Sequence, residues 1–229
     1  MIILMMDFKY ETKLRKKYGY KYIVGLDEVG RGPLAGPVTV CAFWFNPNLY
    51  HIETNNKSDS ITTGVAPTPV VGKLRDSKLL SAKQREELYL YFCNLKERGL
   101  ADFATAAIFP KTIDKKRIHH ATVLAMRRAI KKLNKDPDFA VVDGFPYKQK
   151  IFTDLAHKRV RGADNLMPSV AAASIVAKVK RDKSMREYYH KKYPQYRFDL
   201  HKGYGTKLHY KMLHKHGPSP IHRRSFRLS

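Results

Sequence analysis

The sequence predicts an α/β fold, with helices packed on a mixed sheet. Three observations carry this. Short runs rich in β-branched and aromatic residues recur along the chain, and between them lie segments whose apolar residues repeat every three or four positions. The first two apolar runs are joined by a stretch dense in glycine and proline, Gly30-Arg31-Gly32-Pro33 and Gly36-Pro37, which suits an antiparallel pair. The resulting order, β-β-α-β-α-β-β-α, is that of a sheet covered by helices.

In chain order, residues 7–18 are charged and suit a short leading helix. Tyr20 to Leu26 reads as a strand running into Asp27-Glu28, and Val38 to Phe45 as a nearly all-apolar second strand. Residues 46–72 are rich in Asn, Thr, Ser and Pro and read as a surface loop or insertion. Ser81-x-x-Gln84 is a capping-box pattern opening a helix, with Leu88, Tyr91, Phe92 and Leu95 on one face. Ala101 to Ile108 is a third strand. Thr112 is placed to cap the next helix, whose apolar face is Ile118, Ala121, Ala125, Ala129 and Leu133. Phe139 to Val142 is a short strand ending at Asp143-Gly144, and Arg159 to Arg161 a further one. A helix with a small-residue start, Ala171-Ala172-Ala173-Ser174, runs from Ser169 to about Tyr189. A basic tail follows from His201.

The 229 residues suffice for one sizeable domain. The charge points to the partner: 44 Lys and Arg against 20 Asp and Glu leave a formal net charge of +24, and such a chain attracts polyanions, above all nucleic acid. Charge alone favours a nucleic-acid binder with no chemistry, such as a ribosomal component. Cys41 and Cys93, the only cysteines, lie in apolar surroundings with no metal-site spacing, and are expected as reduced, buried thiols. The apolar start Met1 to Met6 is too short for an export signal, so the cytoplasm is the expected compartment. Met5 and Met6 are alternative starting points for translation.

The acids in this basic chain carry the functional reading. Asp27 and Glu28 end the first strand, Asp143 ends the fourth, and Asp182 interrupts the basic run Lys178 to Lys183. Carboxylates suit Mg²⁺ and Mn²⁺, and converging carboxylates repel unless a cation lies among them. Two such ions can hydrolyse a phosphodiester. Any single one of these acids could instead simply cap a turn. Adjacent strand residues face opposite ways, so Asp27 and Glu28 are expected to share a site only if the strand bends. Gly30-x-Gly32 either lets backbone approach a sugar or phosphate or is only a tight connection; no P-loop pattern is present.

The segment Gly25-Leu26-Asp27-Glu28-Val29-Gly30-Arg31-Gly32-Pro33-Leu34-Ala35-Gly36-Pro37-Val38 resembles the signature of ribonuclease HII. Further blocks resemble that family in order. They are Asp76-Ser77-Lys78, Val141-Val142-Asp143-Gly144, Ala171 to Asp182, His201-Lys202-Gly203-Tyr204-Gly205-Thr206, and Gly217-Pro218 with His222 to Phe226. The resemblance covers nearly the whole chain. It implies a ribonuclease H-like mixed five-stranded sheet flanked by helices, with a C-terminal helical extension. The catalytic domain would span 1–190 and the substrate-binding extension 191–229. It implies Mg²⁺ or Mn²⁺, two ions, held by Asp27, Glu28, Asp143 and Asp182. It implies that the backbone of Gly30, Arg31 and Gly32 senses the 2′-hydroxyl, which distinguishes RNA from DNA, and that Tyr204 stacks on the sugar at an RNA–DNA junction. Lys78 and Arg31 are implied phosphate contacts. The expected substrates are RNA–DNA hybrids and duplex DNA containing ribonucleotides, cut by a monomer.

Three departures stand out. Val29 replaces a frequent Ala. Leu79 follows Lys78 where a second Lys is usual, which weakens a paired-lysine contact. The 46–72 segment is longer than is typical. The related ribonuclease HIII type usually carries Gly-Lys-Gly and an extra N-terminal domain, for which the residues before Tyr20 leave no room. A non-catalytic binder on the same fold and a different nuclease on it are the competing readings. Retention of all four acids disfavours the first, and a panel of DNA, RNA and hybrid duplexes separates the second.

Overall fold

The computed structural model describes residues 4–5, 7–51, 72–73, 80–144 and 150–229. In chain order it contains β1 (Leu4–Met5), α1 (Lys9–Tyr18), β2 (Ile23–Val29), β3 (Val38–Phe45), β4 (Gly72–Lys73), α2 (Ala82–Glu97), β5 (Ala101–Ile108), α3 (Pro110–Ile130), β6 (Phe139–Asp143), β7 (Ala156–Val160), α4 (Pro168–Lys183), α5 (His190–Lys192), α6 (Phe198–His201) and α7 (Lys207–His216). The main sheet has five strands in the order β5-β3-β2-β6-β7. β2 pairs antiparallel with β3 and parallel with β6, and β6 pairs parallel with β7. The mixed sheet expected from the sequence is thus present. Of the 46–72 segment only a 3₁₀ turn, Pro47–His51, and the end of a two-residue parallel pairing of β1 with β4 fall within the described residues. Among the described residues no helix is long and apolar enough to cross a membrane.

Alternation along the strands sorts the core into two layers. Val24 and Leu26 of β2, with Val38, Val40 and Ala42 of β3, face α3 through Ala121, Ala125, Met126 and Ala129. Cys41, Phe43 and Phe45 face the other way, against Leu88, Phe92 and Leu95 of α2 and Ala172, Ile175 and Val176 of α4. The small residues at the start of α4 let it lie against the sheet. At Gly25 a β-carbon would stand 2.5 Å from the Ser169 carbonyl carbon, so any side chain there would push the helix off the strand.

Several boundaries differ from those expected. β2 begins at Ile23, not Tyr20, because the amides of Lys21 and Tyr22 donate to the Asp138 carboxylate at 2.7 and 2.9 Å instead of entering the ladder. α3 begins at Pro110 after Phe109, so Thr112 lies inside it and caps nothing; proline needs no amide partner in a first turn. That helix breaks at Arg117, whose φ is 65°. β7 lies at Ala156–Val160, a few residues earlier than expected, in register from Phe139↔Ala156. The capping box of α2 is complete: Gln84 N–H donates to Ser81 Oγ at 3.2 Å and Ser81 N–H to Gln84 Oε1 at 2.8 Å. α4 passes after Lys183 into a π-helical stretch, Ser184–Tyr189. Cys41 is buried, Cys93 only half-buried, and both are free.

Candidate metal centre

The parallel register of β2 and β6 creates the acidic site. It runs from Ile23↔Phe139 to Leu26↔Val142, so one further step sets Asp27 beside Asp143 where the two strands end their pairing. Asp27 and Glu28 lie within the strand rather than after it, still paired with Cys41 and Val40 of β3. Asp27 points towards α4, where Ser174 hydrogen-bonds its carboxylate. Glu28 points the other way: Arg31 Nη1 donates to its Oε1 at 2.9 Å, and Arg31 Nη2 lies 3.3 Å from Nδ1 of His119 on α3. They are coupled all the same. Glu28 N–H donates to Asp27 Oδ1 at 2.7 Å. Burial, then the charge of Glu28, then that of Asp143, hold the Asp27 carboxyl well above the usual carboxylate range. Asp143 Oδ1 accepts from the Ala163 amide at 2.7 Å.

Asp182 arrives on α4. Ser174, Lys178 and Asp182 are four residues apart, on one stripe of the helix. The helix advances beside β2: Val170 abuts Gly25, Ser174 meets Asp27 and Arg181 abuts Gly30. Asp182 is therefore level with the start of the glycine-rich loop. Lys178 holds it, with Nζ 2.8 Å from Oδ2. The structure thus groups Asp27, Glu28 and Asp143 by charge and ties Asp182 to Lys178 at the same end of the sheet. Among the described residues no three Asp, Glu, His or Cys side chains stand as a ready metal shell. The donor set itself fits a hard cation: oxygen ligands only, with Asp27 crowded by two like charges that a divalent ion would relieve.

The loop from Gly30 to Pro37 is shaped from behind by two buried arginines. Arg181 donates from Nε to Pro37 O at 2.9 Å and from Nη2 to Ala35 O at 3.2 Å. Arg223 donates from Nε to Gly36 O at 3.0 Å, from Nη1 to Arg31 O at 2.9 Å and from Nη2 to Gly30 O at 2.6 Å. Gly30 has a φ of 87°, which suits glycine, and open space surrounds Gly32. Burial, then Arg181, pull the Arg223 guanidinium down to about 9. Tyr204 is part-exposed, with Lys178 Nζ 5.5 Å and Arg181 Cζ 5.4 Å from its ring centre. Lys78 lies outside the described residues. Ser174, Lys178, Arg181 and Arg223 were not singled out from the sequence as site residues. The four-residue spacing to Asp182 marks the first two, whereas nothing local marks the arginines, whose partners lie 144 to 193 residues away.

A family model described as Ribonuclease HII matches residues 71–229. A ribonuclease HII of Acholeplasma laidlawii is 42% identical over 220 residues, 96% of this chain and 94% of the relative. Among solved structures, ribonuclease H2 from Pyrococcus horikoshii is similar with a TM-score of 0.66 at 23% identity, covering 90% of this chain and 94% of that one. A Bst-RNase HIII in complex with Mn²⁺ is similar with a TM-score of 0.62 at 16% identity, covering 90% of this chain and 67% of that one. The family model and the Acholeplasma laidlawii relative, matched over nearly its whole length, show that the chain belongs to the ribonuclease HII family and is a type 2 ribonuclease H.

Proposed function

We propose that the protein hydrolyses the RNA strand of RNA–DNA hybrids and cuts 5′ of ribonucleotides embedded in duplex DNA, leaving 5′-phosphate and 3′-hydroxyl ends. The observation that carries the reading is the crowding of Asp27 by Glu28 and Asp143 at one end of the sheet, in a chain of net charge +24. Asp27, Glu28, Asp143 and Asp182 would hold two divalent cations, Mg²⁺ or Mn²⁺; the Mn²⁺ complex of the similar ribonuclease HIII supports the choice of metal class. When bound, such ions activate a water and neutralise the leaving oxygen.

The chain's own groups do the positioning. The backbone of Gly30, Arg31 and Gly32, braced by Arg223 at the Gly30 and Arg31 carbonyls, meets the 2′-hydroxyl. Arg31 and Lys78 meet phosphate. Tyr204, steadied by Lys178 and Arg181, packs on the junction sugar. Residues 191–229 act as a substrate-binding extension to a catalytic domain of residues 1–190. The protein works as a monomer in the cytoplasm. Incubation with a DNA duplex carrying one ribonucleotide, with Mg²⁺, with Mn²⁺ and with EDTA, tests the proposal. A single metal-dependent cut 5′ of the ribonucleotide is expected; equal cutting of plain duplex DNA, or cutting in EDTA, would overturn it.

A further inference from the structure

Behind Tyr204 three histidines, His201, His209 and His222, are buried at 7%, 0% and 2% exposure. Their protons can be placed from the backbone groups that face them. A backbone N–H can only donate, so the Ser219 amide, 2.9 Å from Nδ1 of His222, fixes that nitrogen as an acceptor. The His222 proton is then on Nε2, which lies 2.9 Å from Nε2 of His209. That makes Nε2 of His209 the acceptor and leaves its proton on Nδ1, which donates to the Tyr204 carbonyl at 2.9 Å. His201 repeats the logic. It accepts the Gly203 amide on Nδ1 at 3.1 Å, donates from Nε2 to Tyr196 O at 2.7 Å, and stacks on His209 at 4.2 Å. One arrangement of neutral rings satisfies these contacts, with the Ser219 hydroxyl, 2.8 Å from Nδ1 of His222, as a second donor to that nitrogen. Burial agrees with neutrality, since it holds His209 and His222 at about 4.

We infer that His209 and, through it, His222 are positioning residues for Tyr204, forming a directional hydrogen-bond relay from Ser219 to the Tyr204 carbonyl that sets the ring against its substrate. The inference rests on the junction role proposed for Tyr204. Tyr204 is held at both ends of its backbone: its carbonyl accepts from His209 Nδ1 at 2.9 Å and from the Thr206 amide at 2.8 Å, and its amide donates to the His201 carbonyl at 2.9 Å. With Gly203 close against Ala35 at a φ of 85°, the main chain at Tyr204 has little freedom, and His209 supplies a side-chain anchor for it beneath the ring.

The amide of an asparagine falls near the Nδ1 position of histidine and that of a glutamine near Nε2, which gives a paired test in the full chain. His209→Asn keeps a donor for the Tyr204 carbonyl; His209→Gln keeps a partner for His222 but loses that donor. The readout is the ratio of kcat/KM on a single-ribonucleotide duplex to kcat/KM on a continuous hybrid, with Tyr204→Ala alongside. Loss of one hydrogen bond predicts that His209→Gln lowers the ratio about tenfold and His209→Asn less than about threefold. If Tyr204→Ala lowers the ratio while the two His209 variants behave alike, the relay is overturned and the role of Tyr204 stands. If Tyr204→Ala leaves the ratio unchanged, the junction role fails and the inference with it. Should the variants not fold, imidazole ¹⁵N shifts of the parent protein at pH 7 decide. Protons on Nε2 of His222 and Nδ1 of His209 are expected; the opposite tautomer or a charged ring on either would overturn the relay.

Discussion

Replacing Glu11 by glutamine should change how stability depends on pH. Glu11 sits on α1, fully buried, and its Oε1 accepts from Ser169 N at 3.4 Å and Ser169 Oγ at 3.2 Å, tying α1 to the first turn of the site helix α4. Burial pushes its carboxyl from 4.5 to about 8, against the pull of the Ser169 hydrogen bonds. A group raised in this way gives its full stability below the unfolded value and loses it as pH rises towards the folded one. At pH 7 the folded protein holds a proton that the unfolded chain has released, which costs about 3 kcal/mol relative to pH 4. At pH 5 that cost is only about 1 kcal/mol. Glutamine never titrates, so the penalty vanishes, although Oε2 has no hydrogen-bond partner and an amide in its place costs about 1–2 kcal/mol at every pH. Urea unfolding at pH 5, 6 and 7 is the assay. The stability of Glu11→Gln minus that of the parent should rise by about 2 kcal/mol from pH 5 to pH 7. A difference that stays constant across this range would refute a neutral Glu11.

Asp143→Asn should keep hybrid binding yet lose metal-dependent cleavage by more than the roughly 100-fold typical of losing an outer-sphere group; cleavage at the parent rate would remove Asp143 from the site. His209 and His222 are both depressed from 6.5 to about 4, with His201 and Arg224 as their charged or titratable neighbours. Their stability is therefore present above pH 6.5 and lost as pH falls towards 4, up to about 3 kcal/mol each. His222→Asn should flatten that acid limb in unfolding titrations. Arg223→Met strands the carbonyls of Gly30, Arg31 and Gly36 and should cost 3 kcal/mol or more, at roughly 1–3 kcal/mol per unmade bond, seen as a lowered Tm. Hybrid affinity should fall steeply with salt as Lys and Arg release counterions; an affinity flat from low to moderate salt would contradict phosphate contacts.

Features with local causes were legible in the sequence. β3 and β5 have the expected bounds, since each is a long apolar run flanked by breakers. The capping box of α2 formed as read, because its partners are three residues apart. The misplaced boundaries had distant causes. Tyr20 to Tyr22 leave the first strand because Asp138, more than a hundred residues on, captures two amides. The acids themselves were visible as carboxylates in a basic chain. That Asp27 and Asp143 stand side by side depends on strand register, and that Asp27 feels the charge of Glu28 so strongly depends on burial. The arginines behind the loop were invisible as such: an arginine in a basic tail looks like one more phosphate contact until its carbonyl partners are known.

The hold of Arg223 on Gly30 and Arg31 spans 193 and 192 residues. A nascent chain halted between Asp182 and Arg223 could assemble every strand of the main sheet and still lack the support beneath its glycine-rich turn. Sheet formation and the bracing of that turn are therefore separate events during synthesis. Fragments released in that interval would carry all four acids beside a turn that lacks the support of Arg223.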